Sequence, residues 1–113
     1  MQQLEKKIYI FSVEAIGWSK SMEKNENQPE DAVGFKLAAA NTYKFFSDAV
    51  TSEENRDFAN KLRDSLNAAK DAKRTLDGIS VDEQELAKQQ SSLNQQIESI
   101  VNELEEITKK IIY

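Results

Sequence analysis

Apolar side chains return along this chain at alternating steps of four and three residues, the rhythm that lines up one face of an α-helix. In the first segment, residues 3–25, Leu4, Ile8, Phe11, Ala15, Trp18 and Met22 form such a seam. Ile10, Val13 and Ile16 widen it towards a second neighbour. Gly17 costs about 1 kcal/mol relative to alanine inside a helix, and its position beside Trp18 predicts close approach by another helix. Trp18 reads as a core residue rather than a ligand platform.

A polar turn at Asn25–Gln28 leads to Pro29, which suits the first position of a helix because its missing amide does no harm there. Glu30 and Asp31 follow in the first turn, where the helix dipole favours acids. This second helix is expected over residues 29–49. Phe35, Ala39, Thr42, Phe46 and Ala49 make one stripe, Val33, Leu37 and Ala40 another, and Tyr43 and Phe45 add apolar surface at further angles. So wide an apolar circumference wants more contact than one bundle core offers. The Ala38–Ala40 run leaves room for a partner backbone, so Val33, Leu37, Ala40 and Phe45 are the expected self-association residues.

The third segment, residues 52–77, begins at a Thr51/Glu54 pair with capping-box spacing and ends at Gly78, expected in the left-handed conformation that often follows a helix. Phe58, Leu62, Leu66, Ala69, Ala72 and Leu76 share its apolar face. Ser80 and Glu83 repeat the capping-box spacing ahead of a fourth helix over residues 81–111. There Leu93, Ile97, Ile100, Leu104, Ile107 and Ile111 continue the seam, behind a polar portion, KQQSSLNQQ, that is expected to project or to lie on a wet part of the bundle. No segment shows the period-two alternation of a strand. Four helices joined by short turns predict an all-α, antiparallel, up-down-up-down four-helix bundle, one domain over residues 1–113, assembled into a homo-oligomeric ring.

Composition narrows the function classes. Histidine and cysteine are both absent, which removes the usual general base, the commonest metal ligand and all thiol chemistry. The formal charge of −5 argues against a general nucleic-acid footprint. The excess of acid is concentrated after residue 78, where seven acids face three bases; residues 51–78 hold six of each. Any basic surface is therefore a local stripe. The N-terminal stretch carries charges through its apolar positions, unlike a signal peptide, and no apolar run approaches bilayer length. The expected location is cytoplasmic, with no membrane partner.

The carboxylate pairs Glu53-Glu54 and Asp82-Glu83 sit at helix starts, where dipole stabilisation accounts for them, and Glu105-Glu106 lies on a polar face. Catalytic residues, a bound cofactor and a metal are not expected. On the third helix Arg56, Arg63 and Lys70 lie seven apart, with Arg74 one turn on and Asn60 and Asn67 between, all opposite the apolar face. They read either as a stripe contacting phosphates or as a solvated face flanked by Asp57–Lys61 and Lys73–Asp77 pairs; the acidic last helix would neutralise it further.

The order Asp57-Phe58, Leu62, Ser65, Ala68 and Asp71 resembles a bacterial family of four-helix-bundle proteins. Its members are encoded by intervening sequences of large-subunit ribosomal RNA genes or accompany diversity-generating retroelements. The resemblance extends back through Asn55 and Asp48 to Ala38-Ala39, covering residues 35–76. It implies a homo-oligomeric bundle, pentameric in relatives, and in some of them binding to nucleic acid or a reverse transcriptase. This chain departs from the pattern at Leu37, Tyr43 and Phe45, where members often carry arginine, proline or glycine, and asparagine. Members are also usually basic. The combined expectation is a non-enzymatic accessory or scaffold that assembles with itself, with RNA contact through Arg56, Arg63, Lys70 and Arg74 as an extension. The alternative is an acidic adaptor meeting a protein partner. Asp71 is expected to hold a neighbouring helix through a hydrogen bond.

Overall fold

Four helices account for the chain: α1 (Gln2–Asn25), α2 (Pro29–Val50), α3 (Asn55–Asp77) and α4 (Gln84–Ile112). The computed structural model describes residues 2–25 and 29–112, among which there is no strand. The polar turn expected after Asn25 lies outside the described residues. α1 packs on α2 and α4, and α3 packs on α2 and α4, giving a compact body of 45 × 20 × 19 Å.

The apolar seams meet at the centre as their spacing predicts. Leu4, Ile8, Phe11, Ala15, Trp18 and Met22 are all buried, as are Phe35, Ala39, Thr42, Phe46 and Ala49 of α2 and Leu62, Leu66, Ala69, Ala72 and Leu76 of α3. Phe35 is gripped edge-on by Phe11 and Trp18, with ring centroids 6.2 and 5.7 Å away. On α4 the seam holds through Leu93, Ile97, Ile100 and Leu104 and then steps to Thr108. Ile107 is only partly buried and Ile111 is exposed. A helix of 3.6 residues per turn drifts out of a strict 3.5 repeat within a few turns, so the fifth contact falls one residue later than the seam predicts. The Thr108 hydroxyl meets its own need by donating to the Leu104 carbonyl at 2.9 Å.

The helix ends differ from the sequence expectation. α3 starts at Asn55, three residues later than expected, after an extended Glu54 whose side chain makes no capping bond. Thr51 and Ser52 serve the preceding helix instead. Their hydroxyls donate to the Ser47 and Asp48 carbonyls, satisfying acceptors left over where α2 stops. α4 starts at Gln84, and Glu83 caps it, its carboxylate accepting the Glu85 and Leu86 amides at 3.0 and 3.1 Å. Gly78 is right-handed, with φ −86° and ψ −5°, and closes α3 with bonds from Gly78 and Ile79 amides three residues back. The polar start of α4 finishes the job: the Gln90 amide donates to the Leu76 and Ile79 carbonyls.

Gly17 also departs from expectation. A methyl group built there meets nothing within 4 Å, so no helix approaches it. At Gly34 an added methyl would sit 3.8 Å from Thr75 Cγ2, an ordinary van der Waals contact, so α3 passes beside it without requiring glycine.

Urea unfolding tests these assignments. Gly17→Ala should be more stable by about 0.5–1 kcal/mol, since the backbone there suits alanine and the space is open. Glu83→Ala should be less stable by about 1 kcal/mol through loss of the cap. Thr51→Ala should stay within about 0.5 kcal/mol of the parent. A Thr51 loss equal to that of Glu83 would restore Thr51 as the cap of α3.

Candidate functional site

Two surfaces carry the residues singled out by the sequence. The first is the outward face of α3. Arg56, Asn60, Arg63, Asn67, Lys70 and Arg74 are all exposed along it, but half of the positive charge is already engaged. Lys70 Nζ lies 3.8 Å from the Glu105 carboxylate of α4, and Arg74 donates to Asp71 at 2.7 Å. Beside them Lys73 pairs with Asp77 at 3.6 Å and donates to the Asn94 side chain. Among the described residues only Arg56 and Arg63 of the stripe lack an ion pair. Exposed pairs of this kind contribute little to stability, about 0.2–1 kcal/mol each, yet they lower the positive potential a phosphate would meet.

Two expectations about this helix change. Asp71 does not reach a neighbouring helix; its carboxylate turns to Arg74 one turn along its own helix. The Asp57–Lys61 pair does not form, and Lys61 instead lies 5.5 Å above the Phe45 ring centroid. Phe45 itself is half-buried, with this contact on its α3 side. Ser65, by contrast, has a structural role that no periodicity marked: buried, it donates to the Thr42 carbonyl of α2 at 2.7 Å.

The second surface is the outer side of α1 and α2. Of the large apolar residues exposed among those described, all but Ile111 lie on these two helices: Tyr9, Ile10, Val13, Val33, Leu37 and Val50. Leu37 is 58% exposed, Tyr9 52% and Val13 50%. Tyr9 and Tyr43 touch edge-on at 5.3 Å, joining the α1 residues to those of α2. Val33 and Leu37 thus stand in water where the sequence placed them, while Ala40 is half-buried. Of the Ala38–Ala40 run, Ala39 is fully buried and Ala38 packs against the core, so most of it serves the chain's own interior. The exposure of Tyr9, Ile10 and Val13 was missed because α1 was read as touching two neighbours on that side.

Among the described residues no group of three or more acidic side chains is placed to hold a metal ion, and no helix is long and apolar enough to cross a membrane. No family model matches this chain, and no curated protein or solved structure is similar to it. The resemblance carried by α3 therefore rests on its own residues.

The pairing pattern on α3 has a measurable consequence. Any affinity for duplex RNA or DNA should fall with salt at a log–log slope of about −2, one unit for each of Arg56 and Arg63. Lys70→Gln should leave that slope unchanged, whereas Arg56→Gln with Arg63→Gln should remove it. A slope near −4 would show that Lys70 and Arg74 leave their carboxylates to meet phosphates.

Proposed function

We propose that this chain is a non-enzymatic helical scaffold that assembles with copies of itself through the outer side of α1 and α2. The observation that carries the reading is the run of exposed apolar residues on that side, centred on Leu37, Val33 and Val13. A lone exposed leucine is ordinary, but six large exposed apolar residues gathered on two adjacent helices are the pattern that marks contact surfaces. α3 offers no equivalent: none of the large exposed apolar residues belongs to it.

Within each copy the helices run up-down-up-down in an antiparallel bundle. The pairing of Tyr9 with Tyr43 and Glu23 with Lys36 supports this for α1 and α2. Lys61 with Phe45 and Ser65 with Thr42 support it for α2 and α3. Lys7 with Glu103 and Trp18 with the Leu86 carbonyl support it for α1 and α4. In each case the numbers rise on one helix as they fall on the other. A closed ring, the assembly implied by the family resemblance, is one way to bury the α1–α2 surface without a two-fold axis. The internal ion pairing of α3 weighs towards self-association and away from nucleic acid as the main role.

Light scattering at micromolar concentration should give a mass several times the 12.9 kDa of one chain. Leu37→Glu, at an exposed position, should lower that mass and leave the helical circular-dichroism signal largely intact. A monomeric wild-type mass would overturn the proposal.

A further inference from the structure

The seam between α1 and α4 is the slimmest of the four helix contacts, and it holds a cleft of about 280 Å³ that the self-association surface does not use. The cleft is lined by Glu14, Gly17, Trp18 and Ser21 of α1 and by Gln89, Ser92 and Leu93 of α4. Its existence follows from the sequence. Gly17 has no side chain and faces open space, and Ser92 opposite is small. Buried Trp18 and Leu93 form an apolar floor. The floor is fixed, because the indole N–H of Trp18 donates to the Leu86 carbonyl at 2.9 Å.

The rim has a one-sided chemistry. Among the described residues Glu14 is the only charged one on it, and no lysine or arginine lines the cleft. The Ser21 hydroxyl spends its proton on the Gly17 carbonyl, leaving its lone pairs outward. Ser92 takes a weak bond from Gln96 at 3.4 Å. The Glu14 carboxylate and the Gln89 side chain make no hydrogen bond to other described residues. The Trp18 N–H is committed to backbone, and Gln89 and Ser92 can donate as well as accept, so the Glu14 carboxylate alone gives the cleft its sign. A site with an apolar floor, one carboxylate on its rim and a volume just below the range of small-molecule pockets favours a small cation with a compact apolar body.

We infer that the α1–α4 cleft is a binding site for a small organic cation, a primary ammonium carried on a compact apolar group, with the ammonium at Glu14 and the apolar part over Trp18 and Leu93. The site is complete within one chain and does not depend on self-association.

Trp18 is the sole tryptophan, so its fluorescence reports on the cleft directly. Titration with phenethylammonium chloride should change the emission saturably, whereas 3-phenylpropionate, similar in size but anionic, should not. Glu14→Gln should weaken binding about threefold, the scale of one exposed ion pair. Gly17→Leu and Ser92→Leu fill the cleft from opposite walls at exposed positions, and either, with its helical signal intact, should abolish the response. The inference is overturned if phenethylammonium gives no saturable change up to about 10 mM, near the weak limit of specific binding. It is equally overturned if the anion binds as well, or if a folded cleft-filling variant still responds.

Discussion

The interior is organised by how closely α2 and α3 approach. α2 and α3 make the most extensive helix contact in the molecule, with Ala39 of α2 and Ser65, Ala69 and Ala72 of α3 buried as small side chains. The Ser65 hydroxyl locks the register by donating to the Thr42 carbonyl across the seam. Left unpaired at that depth, the hydroxyl would cost about 1–3 kcal/mol, so any other register is penalised as well as loosened. With α2 and α3 this close, the central volume is filled by Phe35 and Phe46 of α2 together with Phe11, Met22, Ile97, Ile100 and Leu104 from the other helices.

That arrangement decides which surfaces remain. α3 turns its polar face outward, with cations matched by Glu105, Asp71 and Asp77. α4 closes the body with Lys7 bridging from α1 to Ser99 and Glu103. α1 and α2 are less sharply divided between apolar and polar sides, and their surplus apolar residues have no place left in the interior. The same slim α1–α4 contact leaves the cleft beside Trp18. The exposed apolar residues of α1 and α2 and the cleft thus both follow from how the four helices pack.

Much of this was legible in the residue pattern. The inner seams of all four helices, the number of helices and the outward position of Val33 and Leu37 follow from spacing alone, because burial of one face is what the spacing encodes. The helix ends were not legible to the same degree. Thr51 and Glu54 have the spacing of a capping box, yet a hydroxyl can donate backward as readily as it can accept forward, and Thr51 does the former. The pattern makes Gly17 a site of close approach and Gly78 a left-handed turn; the structure uses neither that way. Within the alanine run Ala39 is buried in the chain's own core while Ala38 and Ala40 are half-buried, and spacing alone does not say whether a neighbouring backbone belongs to the same chain. Gln90 and Ser65 gave no periodic signal because their roles depend on where another helix ends or turns.

The central claim is that the outer side of α1 and α2 meets a second copy of the chain. The most direct measurement is an isotope-filtered NOE experiment on a mixture of ¹³C-labelled and unlabelled protein. The account predicts intermolecular NOEs from the methyl groups of Leu37, Val33 and Val13. Their absence, with contacts between copies appearing at α3 or at Ile111 instead, would contradict it.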